Sequence, residues 1–89
     1  MAKIIIKQPA ETELNELGID SWGTWTCDVS KFDWEYPEEE ICYIFEGEVI
    51  VETPEETVYI KPGDLVIFPG GLKCNWDVKK PIKKVYKFN

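Results

Sequence analysis

The sequence contains no histidine and no arginine. Without histidine there is no Ser-His-Asp hydrolase triad, no imidazole metal ligand and no imidazole to activate a thiol. All ten basic residues are lysine, so the planar fork that grips phosphates and carboxylates through two bonds is missing as well. The three cysteines, Cys27, Cys42 and Cys74, are odd in number and widely spaced, which fits neither a disulfide framework nor a C-x-x-C zinc site, and free thiols are expected. No apolar run approaches the ~20 residues that span a bilayer, and no secretory or transit-like start is present, so no membrane partner and a cytoplasmic protein are expected. A formal net charge of −7 argues against nucleic acid, whose binding rests on basic side chains releasing counterions. Gly70-Gly71 follows one strand-like run but opens another, not a helix, so it makes no phosphate-binding loop.

What the sequence does have is aromatic side chains, four each of Trp, Tyr and Phe in 89 residues. Rings of this size give a short chain a dense core and suit the walls of a pocket. The most informative stretch runs from Tyr59 to Trp76. Lys61-Pro62-Gly63-Asp64 has the residue order of a type II turn, with proline where φ is near −65° and glycine where φ must be positive. Leu65 to Phe68 is an apolar run too short for a helix and stopped by Pro69, which predicts a strand buried on both faces. After Gly70-Gly71, Leu72, Cys74, Trp76 and Val78 alternate with polar residues, a strand with one apolar face.

Elsewhere, Lys3 to Lys7 reads as a first strand and Ala10 to Leu17 as two helical turns closed by Gly18. Strand-like segments then recur at Trp22 to Asp28, Lys31 to Tyr36, Glu40 to Phe45, Glu48 to Glu52, Thr57 to Ile60, Leu65 to Phe68, Leu72 to Lys79 and Ile82 to Phe88. Such spacing predicts an all-β sandwich or barrel in one domain, residues 1–89, with residues 1–21 packing on a barrel of residues 22–89. Glu46-Gly47 reads as a short reversal between two antiparallel strands. Charge is segregated: ten acidic and no basic residues lie from Asp33 to Glu56, whereas six lysines and one aspartate lie from Lys73 onward. Solvated strand faces explain this, as does pairing of an acidic sheet with a basic one, within one subunit or across a homodimer.

Gly63-x5-Pro69-x-Gly71-x2-Cys74 resembles the second motif of the cupin superfamily, with cysteine in the place of its histidine. Glu40-x6-Gly47 resembles the end of the first motif. Cys42-Tyr-Ile-Phe-Glu-Gly47 with Phe68-Pro-Gly-Gly-Leu-Lys-Cys74 is most similar to the short cupins related to (S)-ureidoglycine aminohydrolase and the ethanolamine-utilisation cupin. The resemblance implies a small jelly-roll barrel, the double-stranded β-helix, from about Trp22 onward. Cupin metal sites use three histidines and a glutamate, and only Glu40 stands at such a position here. A three-residue gap before Glu40 sets Trp34 and Tyr36 at the first two histidine positions; a four-residue gap sets Asp33 and Glu35 there. The first register makes an aromatic pocket with one carboxylate, and the second a carboxylate set for a hard divalent cation. Alternation of Phe32, Trp34 and Tyr36 with Asp33 and Glu35 favours the first, with no metal and no cofactor.

The candidate catalytic residues are Glu40, as a general acid or base or a buried acceptor, and Cys74, as a nucleophile or an inert pocket thiol. Trp34, Tyr36, Cys42, Trp76 and Tyr86 are the candidate ligand-binding residues, and Trp22 and Trp25 are expected to cover the barrel end. The expected function is a metal-independent cupin that binds or converts a small polar or amine-bearing metabolite, whether as enzyme or as binding protein. A non-catalytic interaction module and a divalent-metal enzyme built on Asp33, Glu35 and Glu40 are the alternatives.

Overall fold

The computed structural model describes residues 3–88. A short strand β1 (Ile5–Lys7) leads into helix α1 (Glu11–Leu17) and a single 3-10 turn at Ile19–Ser21. Six strands follow: β2 (Gly23–Cys27), β3 (Ser30–Glu35), β4 (Glu40–Glu52), β5 (Thr57–Ile60), β6 (Leu65–Phe68) and β7 (Lys73–Phe88). All pairings among them are antiparallel. This is the small all-β cupin jelly roll, with one short helix between β1 and β2 among the described residues.

Two long strands organise the barrel. β4 and β7 run antiparallel along their whole lengths, from Glu40 opposite Phe88 to Glu52 opposite Asn75, and each contributes one half to each of two layers. In the first layer β4 is flanked by β6 and then β1, and β7 by β2. In the second, β4 is flanked by β5 and β7 by β3. The layers join where register shifts interrupt the β4–β7 ladder between Ile44 and Val49.

That junction corrects two expectations. Glu46-Gly47 is not a reversal, and Leu72 to Lys79 and Ile82 to Phe88 are not separate strands; both long strands run on through bulges. Gly47 has a positive φ of 99° and lies against the Pro81 backbone, where a side chain has no room. Pro81 cannot donate to a ladder, and a bulge is where a strand tolerates it. The glycine bends the sheet there instead of turning the chain back.

The other local signals hold. Gly63 has φ 90° in the Lys61 to Asp64 turn, and the Asp64 amide donates to the Lys61 carbonyl at 3.2 Å. The fully buried Asp64 carboxylate accepts from the Lys61 amide at 2.9 Å and from Gln8 Nε2 at 2.7 Å, so the turn also ties down the segment after β1. β6 is buried on both faces at Leu65, Val66 and Phe68 because the barrel core lies on one side and α1 with Trp22 on the other. The inner cluster includes Tyr36, Cys42, Ile44, Phe68, Trp76 and Val78. The outer cluster joins Ile19, Trp22, Ile41, Leu65 and Val85, with Leu14 of the helix. Full burial of each large side chain contributes about 1.5–3 kcal/mol.

The segregated charges pair in part within the chain. Glu48 bonds Lys80 at 3.0 Å and accepts from the Tyr59 hydroxyl, and Glu46 stands opposite Lys83 in the β4–β7 ladder. No helix among the described residues is long and apolar enough to cross a membrane. The three cysteines are free thiols.

Candidate functional site

Register decides which side chains face inward, because residues opposite one another on paired strands project to the same face. On β3 and β7, Phe32 stands opposite Trp76 and Trp34 opposite Cys74. On β4 and β7, Cys42 stands opposite Tyr86 and Ile44 opposite Lys84, while Trp25 of β2 also stands opposite Lys84. The inward residues leave a cavity of about 380 Å³ walled by Trp25, Phe32, Trp34, Tyr36, Trp76, Tyr86 and Phe88, with Glu40 and Lys84 supplying its charges.

The rings form a connected set. Tyr36 stacks on Phe68 at 4.6 Å between centroids, Phe68 leans on Trp76, and Trp76 meets Phe32 in a stack and Trp25 edge to face. Trp34 meets Tyr36 edge to face and is 47 % exposed, so it stands at the mouth; Phe88, also exposed, lines the cavity beside Tyr86, which it meets edge to face. The Trp76 indole N–H is buried and makes no well-formed hydrogen bond among the described residues.

At the base of the cavity Lys84 Nζ donates to Glu40 Oε2 at 2.8 Å, and both residues are only 5 % exposed. The same ammonium lies 4.9 Å from the Trp25 ring centroid, 4.8 Å from that of Trp76 and 5.8 Å from that of Tyr86. Desolvating such a pair costs several kcal/mol per ion, which the mutual attraction and the ring faces, worth up to about 2 kcal/mol each when dry, offset. Glu40 Oε1 meets no donor among the described residues.

Burial pushes the Tyr36 hydroxyl well above its ordinary range, with the Glu40 charge adding to the effect. Burial likewise raises the Cys42 thiol to about 12, against a smaller opposing pull from Lys84. Cys74 is raised to about 11, again by burial first, with the nearby Trp76 indole pulling weakly the other way although it forms no proper hydrogen bond to the thiol.

Five of the residues singled out in the sequence, Trp34, Tyr36, Glu40, Trp76 and Tyr86, come together around this cavity. Two do not. Cys42 is wholly buried between β6 and β7 and does not line this cavity. Cys74 is buried too, with Sγ 3.6 Å from the Trp34 carbonyl oxygen, and borders a separate shallow groove with Asp33, Glu35, Glu52 and Lys73. Neither Sγ hydrogen-bonds a carboxylate or an amine among the described residues. The carboxylate register is not the one adopted: Asp33 accepts from Asn75 Nδ2 on the far side of Trp34, and Glu35 is exposed. No group of three His, Cys, Asp or Glu side chains comes together as a metal site among the described residues.

Phe32 of the inward aromatic set and Trp25, expected only to cover the barrel end, also line the cavity, and Lys84 and Phe88 complete it without having been singled out. Lys84 was legible in principle, since Ile82, Lys84, Tyr86 and Phe88 occupy alternate positions of one strand face. Its membership in a lysine-rich tail concealed it. Trp25 walls the cavity, whereas Trp22 belongs to the outer cluster, with Lys87 Nζ 5.9 Å from its ring centroid.

Comparison with known proteins agrees with this architecture. A DUF861 family protein from Thermotoga maritima is 42 % identical, with a TM-score of 0.96 over 98 % of this chain and 100 % of that one. A putative ethanolamine utilization protein Q, EutQ, from Salmonella typhimurium is 22 % identical, with a TM-score of 0.65 over 96 % of this chain and 68 % of its own. The EutQ protein of Clostridium difficile is also 22 % identical, with a TM-score of 0.67 over 93 % of this chain and 64 % of its own. No curated protein matches. The EutQ-like cupin domain family matches residues 14–86, and the chain belongs to that family.

Proposed function

We propose that the protein binds, and in an enzymatic version converts, a small polar metabolite in the aromatic cavity without a metal, using Glu40 and Lys84 to hold the polar part of the ligand. The observation that carries this reading is the buried Glu40–Lys84 pair at the base of an open cavity. A well-packed apolar pair would fill that place at no cost in stability, and often with a gain. Charges kept there beside ring faces are what a recognition site needs, since a few placed polar groups orient a ligand whose body packs on apolar walls. An amine-bearing ligand suits Glu40 and the rings, provided it displaces the Lys84 ammonium from them. A cytoplasmic setting is part of the proposal, as it keeps three thiols reduced. So are the absence of nucleic-acid and membrane partners, and a homodimer as one way for unpaired charged faces to meet.

Isothermal titration of small amines, amides and ureido compounds into wild type and Glu40→Gln tests the reading. One compound that binds wild type and loses about tenfold or more in the variant supports it. A panel inert towards wild type, together with a cavity filled by side chains in a high-resolution map, leaves the interaction module as the better account.

A further inference from the structure

Lys84 occupies the place that a cationic ligand would otherwise take. Its ammonium holds the inner faces of Trp25 and Trp76, touches that of Tyr86 and takes one oxygen of Glu40. Because it is tethered, its effective concentration at that spot far exceeds that of a free amine at metabolite levels. The cavity beside it nevertheless stays open.

What remains for a ligand is a donor next to an acceptor. An ammonium has three N–H groups and Lys84 uses one on Glu40 Oε2. Glu40 Oε1 has no donor among the described residues. Around these two groups the walls are rings: Trp25 and Trp76 flank Lys84, and Phe32, Trp34 and Tyr36 continue them to the mouth. An anion gains Lys84 but meets Glu40 within the same small space, in a chain of net charge −7. A neutral flat molecule meets neither repulsion nor competition, and its faces can stack on the rings.

We propose, resting on the small-molecule reading above, that Lys84 is a specificity-determining residue and that the ligand class is a neutral planar amide or lactam, whose N–H donates to Glu40 and whose carbonyl accepts from Lys84. A resident ammonium in the ring cage thereby excludes amines. Removing it converts the cavity into an open cation cage of rings and one carboxylate.

Pyridone, tetramethylammonium and benzoate are the three probes, titrated into the full chain with tryptophan fluorescence and calorimetry as readouts. Wild type binds pyridone about tenfold or more tighter than either ion. Lys84→Met loses pyridone and gains tetramethylammonium. Glu40→Gln/Lys84→Met, which leaves no buried charge unpaired and therefore keeps its fold if the single variant does not, loses the preference for pyridone. Wild type that binds tetramethylammonium or benzoate as well as pyridone overturns the ligand class and leaves the pocket reading standing. If wild type binds none of the three, the class is overturned; tetramethylammonium binding by Lys84→Met would then keep the cavity as a site, and its absence would sink the pocket reading with it.

Discussion

Gly47 and Pro81 meet across the two long strands, and a Cβ placed on Gly47 would fall 2.3 Å from the Pro81 carbonyl oxygen. The contact is backbone on both sides, so no rotamer change can relieve it. It lies where β4 and β7 pass from one layer of the barrel to the other, and it sets the relation between Trp76 in one half of β7 and Lys84 in the other.

Gly47→Ala is therefore expected to be severely destabilising, because the φ of 99° costs about 1–2 kcal/mol in any L-residue and the clash comes on top. Gly63→Ala is the control. Its φ of 90° is as strained for a side chain, but nothing lies within 4 Å of the new Cβ. Urea midpoints should fall modestly for Gly63→Ala and much further for Gly47→Ala; equal falls would mean the Pro81 contact yields easily.

The buried pair gives a second comparison. Glu40→Gln or Lys84→Met alone leaves one charge in the aromatic interior without its partner, a loss of about 3–5 kcal/mol. The double variant should recover most of that, since it removes both desolvation costs together. A double-mutant cycle in urea measures the coupling, and additive single losses would show that the two side chains do not depend on each other.

These contrasts show how far the sequence reached. The Lys61 to Asp64 turn, the β6 strand and the alternation around Trp76 were readable because each rests on neighbours within a few residues. The inward set Phe32, Trp34 and Tyr36 was readable from period-two patterning for the same reason. Gly47 was misread because a positive φ serves a hairpin and a bulge equally well, and the deciding partner, Pro81, is remote in sequence. Lys84 escaped notice on similar grounds: a lysine among lysines reads as solvated until the register places Trp25 and Ile44 opposite it. Cys74 stood at a ligand position of the cupin motif, yet its short side chain ends in the core beside the Trp34 backbone.

Metal removal should leave the protein unchanged. Glu40 is engaged by Lys84, while Asp33 and Glu35 lie apart from it beyond Trp34, so the carboxylates offer no shared position to a divalent ion. Exhaustive treatment with EDTA is expected to leave the melting temperature and tryptophan emission where they were. Stoichiometric zinc, iron or manganese in protein purified without metal-affinity chromatography would require β3 to pair in the other register.

Alkaline pH should weaken the fold, and the sign follows from which state holds the protons. Cys42 moves from an ordinary 9.0 to about 12 and Cys74 from 9.0 to about 11, while Tyr36 also lies well above its usual 10.0; burial leads in each case. Below pH ~9 all three are neutral whether folded or unfolded, and they contribute no pH dependence. Above it the unfolded chain releases its thiol protons while the folded chain retains them, so the native state binds more protons and stability falls with rising pH. The thiol contribution is lost between about 9 and about 11 to 12, and the tyrosine contribution begins nearer 10. Surface lysines discharge in the same range, so variants must isolate the buried groups. Tyr36→Phe keeps the ring stacked on Phe68 and removes the hydroxyl, and Cys42→Ala removes one thiol. Each should start less stable or unchanged near neutral pH yet lose less between about 9 and 11 than wild type does. Alkylation gives an independent check, since neutral, buried Cys42 and Cys74 should label slowly until the pH approaches those values. Parallel alkaline loss in all three proteins would assign the effect to the lysines, and rapid labelling of Cys74 near neutral pH would show a thiolate that this aromatic interior has no means to hold.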